Sequence, residues 1–297
     1  VPREVQIEAE AAWSAALGRQ VRVASGAPVG GGCISPSQRV LSQAGDVAFL
    51  KWGDGGTPAG LFTAEATSLE ALSQTGALRI PRVLGQGDAG AGWLLLEWLE
   101  PGRPNQESWR ALGRGLATLH RTCAQRWGWA QDNFIGSLPQ ANGWLAEWPE
   151  FWGERRLLPQ LERAYRAGHF PQAERRRFEA LLRRLPELLA PAREDGPSLV
   201  HGDLWSGNVH ITGDGAPAII DPASYYGHRE VDLAMSELFG GFDAEFYRTY
   251  GETWPLTPGY DPVRRAVYQL YYLLVHVNLF GGGYVGSTLR ALAQTGA

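Results

Sequence analysis

His201-Gly202-Asp203-Leu204-Trp205-Ser206-Gly207-Asn208, followed by Ile219-Ile220-Asp221-Pro222, is the stretch that decides how this 297-residue chain is read. It sets one carboxylate, one amide and a second carboxylate at the spacing Asp-x4-Asn-x12-Asp. Transfer of a phosphoryl group to an alcohol needs a carboxylate to take the hydroxyl proton and hard oxygen ligands for the cation on the nucleotide phosphates. Asp203 fits the first role; Asn208 and Asp221 fit the second, with Mg2+ as the expected ion and ATP as the expected donor. The bland reading of His-Gly-Asp is a turn in which an Asp side chain caps nearby amides. The joint spacing favours the catalytic reading. His201, two positions before the base, is expected to be a structural hydrogen-bonder that fixes the loop.

Far upstream stands a second signal. The 27 cationic side chains comprise 26 arginines and a single lysine, Lys51, which ends the apolar run Val47-Ala48-Phe49-Leu50. An ammonium is a compact point charge that reaches α- and β-phosphates, held in place by an acidic partner. Glu65 is the expected partner and Glu70 the fallback. Between the first two strands lies Gly26-Ala27-Pro28-Val29-Gly30-Gly31-Gly32-Cys33-Ile34-Ser35. Gly30, Gly31 and Gly32 can bring backbone amides close to phosphate oxygens. The pattern is not Gly-x4-Gly-Lys-Ser/Thr, so the other large ATP-binding architecture is not indicated. Cys33 is a candidate redox site, through an intermolecular disulfide, with an inert buried thiol as the alternative.

The bulk composition agrees with an enzyme rather than a nucleic-acid or membrane binder. At 44% apolar residues the chain can bury a large core, and its length makes two domains expected. A net charge of −4 gives no electrostatic footprint for nucleic acid or anionic lipid. The longest apolar run, Leu270 to Phe280, falls short of the ~20 residues of a membrane span. Two cysteines and no secretory leader point to a reducing, cytoplasmic setting.

Pattern along the chain predicts an α+β protein of two lobes. Residues 1–100 read as a small antiparallel sheet with one helix: strands at Val21–Val23, Gln38–Ser42, Val47–Trp52, Arg79–Leu84 and Trp93–Leu99, and a helix over Thr63–Gln74. Pro101-Gly102-Arg103-Pro104 is the expected linker. Residues 101–297 read as mainly helical, at Trp109–Thr122, Phe151–Ala167, Ala173–Leu189, Glu230–Phe239, Ala244–Tyr250 and Val263–Phe280, with Pro186 expected to kink or interrupt the third. The one β feature expected there is a hairpin, Asn208–Ile211 with Ala218–Asp221, which brings Asp203, Asn208 and Asp221 together. Glu97, Trp98 and Leu99, running into the linker, are the expected adenine contacts, made through backbone. Trp205, Tyr225 and Tyr226 are the aromatic candidates for stacking on an acceptor.

These residues carry a resemblance. Ile220-Asp221-Pro222-Ala223-Ser224-Tyr225-Tyr226-Gly227-His228-Arg229-Glu230-Val231-Asp232-Leu233-Ala234-Met235, continuing to Phe242, resembles the fructosamine (ketosamine) 3-kinases, within the wider aminoglycoside-phosphotransferase-like group. So do the His201–Asn208 loop, Gly30-Gly-Gly-Cys-Ile-Ser35, Asn133-Phe-Ile-Gly-Ser-Leu-Pro-Gln140, Asn142-Gly-Trp144 and Glu154-Arg155-Arg156-Leu157. The resemblance covers essentially the whole chain. It implies a bilobal protein-kinase-like fold and ATP-dependent phosphorylation of the sugar O3 of ketosamines, the adducts of glucose or ribose with amines, free or on proteins. The phosphorylated product breaks down, so the implied role is deglycation. It implies Asp203 as base, Asn208 and Asp221 as metal ligands, Lys51 with Glu65 at the phosphates, and Asp232 as a brace for the catalytic loop. Pro222 stands where regulated protein kinases carry Phe-Gly, so a swinging metal-loop switch is not expected. The expected assembly is a monomer or a redox-sensitive dimer through Cys33.

The nearest rival is a kinase of another small hydroxylated amine, such as an aminoglycoside or choline. Polycationic acceptors favour an acidic lobe, and residues 123–200 hold 11 arginines against 10 acidic residues. A catalytically inactive nucleotide-binding module is the rival from another class. The complete set of Lys51, Asp203, Asn208 and Asp221 argues against it.

Overall fold

The computed structural model describes residues 1–30 and 35–296. Helix α1 (Arg3–Leu17) opens the chain. A five-stranded sheet follows, built from β1 (Val23–Pro28), β2 (Ser37–Ser42), β3 (Val47–Trp52), β4 (Val83–Gly87) and β5 (Trp93–Glu97), all antiparallel in the order β1-β2-β3-β5-β4. Helix α2 (Leu61–Gln74) connects β3 to β4. Strand alternation sorts the side chains between two faces. Ala48, Leu50, Trp93 and Leu95 pack on Val5, Ala9 and Trp13 of α1. Leu94 and Leu96 pack with Phe62, Ala66, Leu69 and Leu72 of α2. Lys51, paired with Leu94 across the strands, therefore faces α2.

The lobe thus holds two helices where one was expected. Val5, Ala9 and Trp13 recur every four residues, a helical stripe that alanine-rich surroundings obscure. Two strands also sit later than their hydrophobic pattern predicts. The Arg79–Leu84 run joins this sheet as a strand only from Val83, because Pro81 has no N–H for the ladder. The Val21–Val23 run starts at Val23 and continues through the small residues to Pro28.

Helix α3 (Gln106–His120) starts at a capping box, with Asn105 Oδ1 accepting from Ser108 N at 2.9 Å and Asn105 N donating to Ser108 Oγ at 2.8 Å. Four short strands come next: β6 (Trp127–Trp129), β7 (Asn133–Ile135), β8 (Leu138–Gln140) and β9 (Gly143–Leu145). Helix α4 (Trp148–Phe151) runs through a π-helical turn, Trp152–Leu157, into α5 (Leu158–Arg166). Then come α6 (Gln172–Leu188), α7 (Ala192–Asp195), β10 (Ser198–Val200), the hairpin β11 (Val209–Ile211) and β12 (Pro217–Ile219), β13 (Tyr225–Gly227), α8 (Glu230–Leu238), α9 (Ala244–Thr253), α10 (Arg265–Phe280) and α11 (Val285–Gln294).

The β11–β12 hairpin is as expected, but it is not the only β structure of this half. β10, β13, β6 and β9 form a second sheet, and β7 pairs with β8. Three-residue strands carry too little alternation to be read from pattern. Pro186 does not interrupt α6, which runs on to Leu188; its missing N–H takes one bond out of the ladder, two residues before the helix ends. Helix α11 lies beyond the last one expected. Helix α10 is buried on nearly every side and forms the middle of the larger core.

The hairpin also ties the two lobes. Gly213 N, in the hairpin turn, donates to Glu100 O at 2.8 Å, and Ile219 N donates to Arg79 O at 3.1 Å. The architecture is bilobal α+β. No helix among the described residues is long and apolar enough to cross a membrane.

Candidate active site

Local hydrogen bonds fix the loop from β10 to β11. Asp232 of α8 is fully buried and accepts from His201 N at 2.7 Å and Gly202 N at 2.9 Å. It also faces His120 Nε2 of α3 at 3.1 Å. The His201 ring joins both ends of the motif: its Nε2 meets Ile220 O at 2.9 Å, and its Nδ1 accepts from Asp203 N at 3.2 Å. Donation from Nε2 and acceptance at Nδ1 define a neutral imidazole, and burial pushes its pKa below the ordinary value. Gly202 is required as glycine. Its φ is +84°, and a Cβ there would lie 2.1 Å from Ala223 O.

This scaffold presents three oxygen-bearing side chains. Asn208 Nδ2 donates to Asp203 O at 2.8 Å and to Asp203 Oδ2 at 3.3 Å, so its Oδ1 remains as the acceptor for an incoming cation. Asp221, with φ +55°, is the only non-glycine among the described residues in the left-handed region. Such strain in a residue other than glycine is held by its surroundings and is concentrated at functional sites. Burial, reinforced by the neighbouring Asp221 charge, pushes the Asp203 carboxyl up to about 7, against the pull of the Asn208 hydrogen bond. A carboxylate and an amide oxygen are the hard donors that Mg2+ takes, so Asn208 and Asp221 fit that ion.

Lys51 reaches this group from the sheet. Its side chain is 5% exposed, and Nζ donates to Glu65 Oε1 at 2.7 Å and to Asp221 Oδ1 at 2.5 Å. Burial raises the Glu65 carboxyl above its ordinary range even though Lys51 opposes the shift. Glu70, the fallback partner, is exposed on the other side of α2.

Three adjoining cavities surround these residues. One, about 340 Å3, is lined by Gly30, Phe49, Glu97, Trp98, Leu99 and His210. Among the described residues His210 Nε2 and Trp98 Nε1 are buried there without a partner, polar atoms that a nucleotide can satisfy. The second, about 110 Å3, lies between Lys51, Glu65, Asp203, Asn208 and Asp221. The third, about 430 Å3, opens from Asp203 towards Tyr272, His276 and Phe280. Asp221 borders the first two, Asp203 the last two, and Trp205 all three. The Trp205 indole takes this place by folding over Gly207, where a Cβ would lie 2.3 Å from its ring. A larger cavity of about 760 Å3 beside Trp148 and Leu185 contains none of the residues above.

Not every candidate reaches the cleft. Tyr225 is 0% exposed and lies in the core, with the Arg156 guanidinium 3.9 Å from its ring centre. Tyr226 is half-buried between Trp129 and Trp144. Strand alternation in β13 sends the two rings to opposite faces, and neither lines any of the three cavities, so neither is placed to stack on an acceptor. Gly31, Gly32 and Cys33, and with them the redox reading, lie outside the described residues.

Sequence reasoning missed two groups. Gln140 Nε2 donates to Ala223 O at 3.2 Å and Asn133 Nδ2 donates to Ser224 O at 2.9 Å, anchoring the segment behind Asp221. Their signal was a run of amides, Asn133, Gln140 and Asn142, too polar for the core it occupies. The aromatic wall of the third cavity comes from Phe239, His276, Phe280 and Tyr284, residues too far apart in the chain to be grouped by pattern.

The family model for fructosamine kinase matches residues 6–296. The chain belongs to the fructosamine kinase family. A relative from Synechocystis, named a probable ketoamine kinase, is 43% identical over 95% of this chain and 93% of its own length. A mouse ketosamine-3-kinase is 34% identical over 89% of this chain and 92% of its own. Among solved structures, a Thermobifida fusca protein described as a fructosamine-3-kinase is 35% identical, with a TM-score of 0.86 over 96% of this chain and 97% of its own. A Streptococcus pneumoniae choline kinase, 17% identical over 91% of this chain and 94% of its own, has a TM-score of 0.61 and shares the fold.

Proposed function

We propose that this fructosamine kinase family member transfers the γ-phosphoryl group of ATP to the O3 hydroxyl of ketosamines, free or protein-bound, as a deglycation step. The observation that carries the reading is the order of the cavities: nucleotide pocket, charged cleft and acceptor cavity adjoin, with Asp203 and Trp205 at the last junction. The names of the relatives support the acceptor class.

In this reading residues 1–100 hold the nucleotide and residues 101–297 carry the chemistry and the acceptor. Gly30 and the Glu97–Leu99 backbone border the base, while Lys51, steadied by Glu65, faces the phosphates. Asp203 takes the O3 proton as the O3–P bond forms and the bond from Pγ to the leaving oxygen of ADP breaks. A carboxyl near 7 suits that work, because a general base is most effective when its pKa lies close to the operating pH. Asn208 and Asp221 would hold Mg2+, which supplies charge neutralisation on the phosphates.

A polycationic aminoglycoside acceptor is disfavoured by the third cavity, where Asp203 is the only acidic lining residue among the described residues. The test is ATP consumption against fructosyl- and ribulosyl-lysine, an aminoglycoside and choline. ADP release with a ketosamine alone is expected. Release with choline or the aminoglycoside and none with either ketosamine would overturn the reading, and tight ATP binding with no turnover of any would indicate an inactive module.

A further inference from the structure

Opposite Asp203 the acceptor cavity is walled by a cluster of aromatic rings together with the aliphatic side chains Ile135, Met235, Val275 and Leu279. Phe239 directly follows α8, His276 and Phe280 lie on α10, and Tyr284 lies in the turn after it. The His276 ring stands 4.7 Å from Phe239, 5.5 Å from Phe280 and 5.0 Å from Tyr284, centre to centre. Trp205 closes the side next to the base. Two of these rings are open to solvent, Phe280 at 62% and Phe239 at 41%, among the few large apolar side chains exposed on this chain. Exposed rings beside a catalytic base cost solubility, which favours a role in binding.

The charge of the wall is equally specific. His276 Nδ1–H donates to Tyr272 O at 2.7 Å, and burial holds the ring below the ordinary histidine pKa, so the wall carries no cation. Among the described residues Asp203 is the only charged one lining the cavity. An aromatic face attracts an ammonium and offers nothing to a carboxylate. With the sugar hydroxyl at Asp203, the amine nitrogen and its substituent fall on this wall.

On the reading proposed above, we infer that Trp205, Phe239, Phe280 and Tyr284 form an aromatic cage for the ketosamine nitrogen and an apolar tether on it. The enzyme then selects adducts of amines on unbranched aliphatic chains, such as the lysine side chain. It rejects adducts at an α-amino group, whose carboxylate lies two bonds from the nitrogen. The open end at Phe280 lets the far end of a long tether, and whatever bears it, remain in solvent.

The experiment compares two ribulose-derived ketosamines sharing one sugar, made from butylamine and from glycine. The expected kcat/KM favours the butylamine adduct by about tenfold or more, the discrimination apolar pockets reach per small group. In Phe280→Ser and, separately, Phe239→Ser the ratio falls to within about threefold of unity, while Phe280→Trp keeps it. Both serine variants alter exposed side chains, and thermal melts check that each folds. A wild-type ratio near one, or a ratio unmoved in both serine variants, overturns the inference and leaves the proposed function standing. ATP consumption with neither adduct nor any other ketosamine overturns the proposed function, and the inference with it.

Discussion

Lys51 Nζ donates to Asp221 Oδ1 at 2.5 Å, across 170 positions of sequence and from one lobe to the other. The same ammonium holds Glu65 at 2.7 Å. One cation thus joins the sheet, α2 and the carboxylate that ends the β11–β12 hairpin. The pair is buried on the lysine side, where an ion is costly unless its partners are kept.

Replacing Lys51 by Arg tests this joint. A guanidinium is planar, longer and bulkier, and cannot meet two carboxylates from the same point as an ammonium. In Lys51→Arg, kcat/KM for ATP is expected to fall on the order of 10²-fold, a typical loss for one charge-stabilising donor. Steady-state kinetics with ATP varied would show it. Turnover equal to wild type would remove Lys51 from the phosphate site.

Asp203→Asn separates catalysis from stability. Loss of the base is expected to lower kcat by about 10²- to 10⁴-fold. The Asp203 carboxyl is pushed up to about 7 because its surroundings disfavour the charged form. At pH 8 the ionised group therefore works against the fold, and the neutral amide does not. The melting temperature of Asp203→Asn at pH 8 should match or exceed wild type. A lower one, or retained kcat, would count against a strained base at this position.

The sequence announced this site well because its parts are local. Asp203, Asn208 and Asp221 are joined by one short hairpin, and Lys51 was marked by being the only lysine. What was hidden is long-range. Helix α1 was masked by its alanines, and six strands of three residues each, β6 to β10 and β13, exist only through their partners. Tyr225 follows Asp221 closely in sequence, yet alternation turns it into the core against Arg156. Phe239 and Phe280 share a cavity although 41 positions separate them, and no local period could have linked them.

Asp232 shows how a residue outside the cleft governs it. It accepts from two consecutive backbone amides, His201 N and Gly202 N, and sits against His120 Nε2. An asparagine brings an N–H group into this cluster of donors, leaving at least one buried donor unpaired. Asp232→Asn is expected to cost about 2–4 kcal/mol of stability. It is also expected to lower kcat about tenfold or more, since a small misplacement of the base is costly. Denaturant melts and kcat measured together check this. A variant as stable and as active as wild type would deny Asp232 the bracing role.

Acid should weaken the fold before the ordinary carboxylates titrate. Burial holds His120, His201 and His276 below the ordinary histidine value. As pH falls through about 6.5, the unfolded chain takes up protons at these sites that the native protein refuses, so stability falls with pH. Each such group contributes up to ~1.4 kcal/mol per pH unit until its native pKa is reached. Asp203 and Glu65, whose carboxyls are raised, bind protons in the native state and oppose the trend. Asp203→Asn removes the first of these, leaving three histidines against one carboxyl. The melting temperature of that variant is expected to drop between pH 7.5 and 5.5, on the order of 5 °C, and more steeply than wild type. Melts that stay flat over this range, or wild type declining faster than the variant, would show that the buried imidazoles accept protons without cost to the fold.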